Sequence, residues 1–206
     1  MTVTRSEQKE RTRRSILDAA LRLSEASGLG PLSLRQVAKE VGVVPTAFYR
    51  HFDSLDELGL ALVEESFESL RAMLRDVRRG DPAPAEIIER SVSVLTQHVR
   101  ARRDHFGFIA RERVGGAPVV RDAVQHELDL FERELATDLA QLARPPRWSS
   151  EDLHVLAHLI VTAMVNTVED LLRAGSVRLE DAVARRAETE LRMVVVGALQ
   201  WRSGHA

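Results

Sequence analysis

Glycine and proline cut this chain into helix-length segments, and that punctuation limits the fold more than any other feature. Gly28/Gly30/Pro31, Gly42, Gly80/Pro82/Pro84, Gly115/Gly116/Pro118, Pro145/Pro146 and Gly175 stand at the breaks. Between them apolar residues recur three and four apart, never in sustained alternation, which is the period of helices and not of strands. Leu60, Val63, Phe67, Leu70, Leu74 and Val77 form one stripe. Val120, Val124, Leu128, Phe131, Leu135, Leu139 and Leu142 form a second, and Val183, Ala187, Leu191, Val194, Ala198 and Trp201 a third. Each stripe lies along one side of a helix and needs a partner surface. The spacing predicts nine helices, at about 7–27, 33–40, 45–51, 54–79, 84–101, 104–113, 118–143, 149–174 and 179–202. The fold class is therefore all-α.

Start signals agree with the stripes. Ser33 with Gln36 and Ser54 with Glu57 read as capping boxes, in which the serine oxygen takes an orphan N–H and the longer side chain returns a bond. Pro45 suits a first helical turn, where its missing N–H costs little.

Composition narrows the class further. With 44% hydrophobic and 29% charged residues the chain is an ordinary globular protein. It has no cysteine, so disulfides and thiolate metal sites are excluded. The start, MTVTRSEQKERTRR, lacks the apolar core of a secretory signal, which points to a cytoplasmic protein. The most apolar stretch, 153–168, is interrupted by His158 and Asn166 and reads as too short and polar for a membrane span. The charge is uneven. Residues 1–53 hold nine Lys/Arg against six acids, net +3, which leaves −5 on the remainder. A basic head on an acidic body suits an anionic partner for the head alone. Two parts follow, 1–53 and 54–206, joined by the helix that begins at Ser54.

The strongest local signal is 33–58, SLRQVAKEVGVVPTAFYRHFDSLDEL. Two short helices meet at Gly42, which permits the positive φ of a tight turn. Val37, Ala38 and Val41 are expected to face inward on the first helix, and Ala47, Phe48 and Phe52 on the second. Pro45, Thr46, Tyr49, Arg50 and His51 are then left outward. This is helix-turn-helix patterning, with the second helix free to enter a major groove. Hydroxyls on Thr46 and Tyr49, a forked guanidinium on Arg50 and an imidazole on His51 suit base edges and phosphates. Ser33, Arg35 and Ser54, and upstream Arg11, Arg13 and Arg14, are candidates for contacts to the flanking backbone.

The pattern of Ser33, Val37-Ala38, Val41-Gly42-Val43, Tyr49, His51-Phe52, Ser54 and Glu57-Leu58 resembles the DNA-binding domain of TetR-family repressors. It departs from that pattern at Thr46-Ala47, where the family usually has Gly second, and at Leu55, where it often has Lys. The resemblance implies a nine-helix TetR-like fold, with residues 1–53 binding DNA and 54–206 binding ligand and dimerising. QKERTRRSILDAAL, VPTAFYRHF, DELGLALVEES and RERVGG are also similar to the FabR and DesT type of regulator. That likeness implies control of unsaturated fatty acid synthesis or desaturation genes, with a long-chain acyl-CoA as effector.

Phe67, Leu70, Met73, Val92, Leu95, Phe106, Phe108, Ile109, Val124, Leu128, Phe131 and Met164 supply the apolar surface of the C-terminal part. Alone they fit an ordinary core as well as a ligand tunnel between helices. The resemblance favours a tunnel lined by Phe67, Leu70, Val92, Leu95, Phe106, Ile109, Val124, Leu128, Phe131 and Met164. Arg111 would then meet the phosphate end of an acyl thioester; a structural ion pair is the alternative. Broad apolar faces on the last two helices suit a homodimer.

An enzyme is the rival class. Glu151, His154 and His158 lie along one helix, but a di-iron bundle needs Glu-x-x-His twice and there is one copy. His126-Glu127 lacks the second histidine of a zinc protease helix. No phosphate loop, dinucleotide fingerprint or nucleophile elbow occurs. The expectation is no catalytic residue, no metal and no cofactor, with double-stranded operator DNA and a small effector as partners. A regulator of another hydrophobic ligand, governing efflux or catabolism, is the alternative.

Overall fold

The computed structural model describes residues 4–78, 86–142 and 148–203. Every described regular element is an α-helix, in the order α1 (Arg5–Ser24), α2 (Leu34–Val41), α3 (Pro45–Phe48), α4 (Leu55–Arg78), α5 (Ile87–Ala101), α6 (Arg103–Gly115), α7 (Pro118–Leu142), α8 (Ser150–Arg173) and α9 (Val177–Gln200). The all-α expectation holds, and the nine spacing-derived helices fall on these nine within a few residues. The breaks read at Gly80/Pro82/Pro84 and Pro145/Pro146 lie outside the described residues.

Helix starts have local causes. Ser33 and Gln36 form the expected box. At α4 the box is offset by one residue. The Glu57 N–H donates to Ser54 Oγ at 3.0 Å, but the Glu57 carboxylate accepts from the Asp53 N–H. Two further boxes, Thr4 with Glu7 and Ser149 with Asp152, open α1 and α8.

The helices form two compact units. One holds Met1–Leu70 and Asp104–Val124; the other holds Arg71–Arg103 and Gln125–Ala206. The first unit has its core in Ile16, Ala20, Val37, Phe48, Phe52, Leu58, Leu62, Phe67, Phe106, Phe108 and Val120. Of the α4 stripe read by spacing, Val63, Phe67 and Val77 are buried, while Leu60 faces solvent and Leu58 and Leu62, off the expected line, are buried.

In the second unit α5, α8 and α9 pack on one another. Val92, Ala187 and Leu191 are buried there, with Ile88, Ile160, Ala163, Met164 and Ala184 around them. Polar ties fasten the ends. The Trp148 indole donates to the Ala198 carbonyl and the Trp201 indole to the Asp152 carboxylate, each at 3.0 Å. Hydrogen bonds from Ser203 and Ser149 hold the Asp152 carboxyl below the usual carboxylate range. Contrary to the sequence expectation, α8 is long and apolar enough to cross a membrane by length and composition, and 22% of that window is buried within the chain.

Candidate nucleic-acid interface

Two short helices build the candidate site. Ser33 Oγ accepts the Gln36 N–H at 3.2 Å, and Gln36 Oε1 accepts the Ser33 N–H at 2.7 Å, so α2 starts at a fixed residue. It ends at Gly42, whose φ of +76° is left-handed backbone that glycine adopts without strain. The Gly42 N–H then reaches the Lys39 carbonyl and the Val43 N–H reaches the Ala38 carbonyl, at 3.1 and 3.0 Å. These bonds turn the chain within two residues, and Pro45 opens α3.

Aromatic packing fixes which way α3 faces. Phe48 is fully buried, Phe52 nearly so, and their ring centres lie 6.0 Å apart. The Arg13 guanidinium covers Phe52 at 4.4 Å and donates to the His51 carbonyl at 3.2 Å. With that side anchored, Pro45, Thr46, Tyr49 and Arg50 are exposed, and Tyr49 retains 52% of its accessible surface. The helix itself is shorter than expected: Tyr49, Arg50 and His51 lie in the turn that follows Phe48. Ala47 and Val41 are half-buried, at the rim of the inward face.

The remaining sequence candidates sort into two groups. Ser33, Arg35 and Ser54 are exposed on the helix-turn-helix. Arg13, Arg14 and His51 are tied into the fold. Arg14 pairs with Glu65 at 2.8 Å and Asp18 at 3.5 Å, while keeping about half its side chain exposed. Glu65 also stands 3.7 Å from the buried His105, whose Nδ1 is 3.0 Å from Ser66 Oγ. His51 is half-buried with Nδ1 in no hydrogen bond. Burial, then the positive charges of Lys9 and Arg13, hold its imidazole below the ordinary histidine value, so it is neutral at pH 7.

The sequence reading overlooked Glu112 as a structural residue of this unit. Its side chain is buried, and Oε1 accepts the Leu29 N–H in the α1–α2 connection at 2.7 Å. Gly116 permits this. A Cβ there would stand 2.5 Å from the Glu112 carbonyl and 2.7 Å from Oε2. The Arg-Glu-Arg-Val-Gly-Gly run carried the signal, as a carboxylate followed four residues later by a glycine.

The expected effector residues divide between the units. Phe67, Phe106, Ile109 and Val124 are buried in the first, where Leu70 and Arg111 are half-buried. Arg111 folds back over Gly107, and its Nε and Nη2 make no hydrogen bond. Val92, Leu95 and Leu128 are buried in the second unit, with Phe131 and Met164 half-buried. A cavity of about 360 Å³ on α8 and α9 is lined instead by Asn166, Thr167, Glu169, Asp170, Arg173, Arg186 and Glu190. Among the described residues no group of three or more His, Asp or Glu could hold a metal ion. His158 bonds Glu132, and His154 bonds the Ser150 carbonyl.

Residues 16–62 match the family model described as bacterial regulatory proteins, tetR family, which spans the helix-turn-helix and the first turns of α4. Over that stretch the chain is similar to TetR-family regulators. The fold agrees along nearly the whole length with solved structures of transcriptional regulators. A transcriptional regulator from Pseudomonas aeruginosa PAO1 superposes with a TM-score of 0.74 at 16% identity, covering 92% of each chain. A TetR-family transcriptional regulator from Streptomyces coelicolor gives 0.68 at 20% identity, over 90% of this chain and 96% of that one. The fatty acid degradation regulator FadR from Bacillus halodurans gives 0.70 at 14% identity, over 93% and 97%. At such identities the likeness is one of fold. The helix-turn-helix is where the family match and the exposed Thr46, Tyr49 and Arg50 coincide.

Proposed function

We propose that this chain is a TetR-type, ligand-responsive repressor that binds a palindromic operator as a homodimer, in the cytoplasm. The observation that carries the reading is the outward set Thr46, Tyr49 and Arg50 on α3 and the turn that follows it, whose other side is locked by Phe48 and Phe52. Such a set offers hydroxyl and guanidinium groups to base edges at fixed positions. Arg35, Ser33, Ser54 and the exposed half of Arg14 would hold phosphates on either side, with Arg13 and His51 acting from behind by positioning α3. One short helix reads few base pairs, so a twofold pair is needed, with half-sites roughly 34–36 Å apart or a multiple of that. Met193, Val196 and Leu199 on α9, Trp201 at its C-terminal cap, and Val155 and Leu159 on α8 are large apolar residues left in water, and they are the proposed dimer surface.

The effector we assign is a long-chain acyl-CoA, and the regulated genes those of fatty acid desaturation or unsaturated fatty acid synthesis. This rests on the FabR- and DesT-like stretches, with the fatty acid regulator among the structural neighbours as a hint. In this assignment 1–53 reads DNA and 54–206 senses ligand, through Phe67, Leu70, Val92, Leu95, Phe106, Ile109, Val124, Leu128, Phe131 and Met164. Arg111, with guanidinium N–H groups in no hydrogen bond, would take the thioester's phosphate end. Ligand would bias the tilt of α4 and so the spacing of the two reading helices. A coupling of about 1–3 kcal/mol changes operator affinity 5–150-fold. The test is a titration of operator binding with saturated and unsaturated acyl-CoA. A shift of that size that differs between the two supports the assignment; equal affinities with and without either thioester remove the lipid reading and leave another hydrophobic effector.

A further inference from the structure

Beside the outward set stands Val44, an apolar side chain that is 64% exposed. It also occupies the N-cap of α3, where Ser, Thr, Asp or Asn would accept an orphan N–H. Val44 makes no side-chain cap bond. The position therefore costs stability twice, through a missing cap and through a wetted apolar side chain. Its backbone is nevertheless held firmly. The Ala47 and Phe48 N–H groups donate to the Val44 carbonyl at 2.9 and 3.3 Å, and the Val43 N–H is bound to the Ala38 carbonyl. Pro45 fixes the next φ, and a β-branched side chain has few rotamers left. Local choices that disagree with local stability concentrate where a residue serves a contact made only in a complex.

Resting on the DNA-reading assignment above, we propose that Val44 is a specificity residue that packs on the C5 methyl of a thymine. Val44 carries no polar side-chain atom, so phosphates and hydrogen-bonding base edges offer it nothing. The thymine methyl is the apolar group that the major groove displays, and only at A·T pairs. Thr46, Tyr49 and Arg50, exposed beside it, would supply the polar contacts that place α3 in that groove. The operator then carries a thymine at the same place in both half-sites.

The experiment starts from an operator selected out of randomised duplexes by the full chain. Each thymine is replaced in turn by deoxyuridine, which keeps the pairing and the O4 acceptor and deletes only the methyl. One symmetry-related pair of thymines is expected to respond. Its loss weakens binding about fourfold per half-site and more than tenfold for both, the scale of one buried methyl group. In Val44→Ala and Val44→Ser the ratio between thymine and uracil falls to about one. Val44→Ser restores a capping oxygen, so its melting temperature stays at or above that of the parent and loss of reading is separated from loss of fold. The proposal is overturned if no thymine is sensitive, or if a sensitive thymine stays as sensitive in both variants. If selection yields no preferred sequence at all, the DNA-reading assignment itself has failed.

Discussion

The helix-turn-helix and the α8–α9 pair both leave large side chains in water, and they do so in opposite ways. Around α3 the exposed set is mixed: hydroxyls, a guanidinium and one valine. Each is aimed by a named anchor, whether Phe48 beneath, Gly42 before or Arg13 behind. On α8 and α9 the exposed set is a run of aliphatic residues and one tryptophan along two 24-residue helices. The first surface is suited to a polar partner read at fixed positions. The second is suited to burial against another apolar surface, where packing area counts for more than placement.

Two substitutions break this comparison with large effects. Phe48→Ala empties the anchor under α3 and is expected to cost about 3–5 kcal/mol of stability, seen as a lower melting temperature. Operator binding goes with it. If the protein keeps its melting temperature, α3 is not aimed by that ring. Val196→Asp should act the other way, leaving secondary structure intact while placing like charges across a twofold face. Sedimentation is expected to show dimer association weakened by about two orders of magnitude, roughly 3 kcal/mol. An unchanged sedimentation coefficient would move the interface elsewhere.

A smaller effect sharpens the account of the first region. The folded state holds His51 below its ordinary value, so it favours the neutral ring. The stability this contributes is complete above about pH 6.5, the unfolded value, and is lost as the pH falls below that towards the folded value. Melting temperatures at pH 7.5 and 5.5 should therefore differ more for the parent than for His51→Gln. Equal differences would show that the imidazole sits as freely in the folded chain as in the unfolded one.

Much of the first region was legible because its causes are local. Ser33 and Gln36 are three residues apart, Gly42 ends α2 on its own conformation, and Pro45 opens α3. The outward placement of Tyr49 and Arg50 followed from the inward one of Phe48 and Phe52. What the sequence hid is bonded across distance. Arg13 meets a carbonyl 38 residues on, Arg14 meets Glu65, and Glu112 takes an N–H 83 residues back. Spacing shows that an arginine can reach outward but not which acid has claimed it. The second region was legible as helices but not as a site. Val92 and Met164 belong to the cluster around Ala187 and Leu191, and an apolar stripe carries no mark that separates a packed core from a tunnel wall.

The central claim is that α3 reads base sequence, and one titration reaches it directly. The chain is titrated into its selected operator and into a scrambled duplex of the same length, across a series of salt concentrations. The account predicts two steep and nearly parallel salt dependences, because both duplexes offer the same phosphates. It further predicts an operator affinity at least about a thousandfold the higher at every salt, a gap that Arg50→Ala narrows. Coincident curves for operator and scrambled duplex would contradict it.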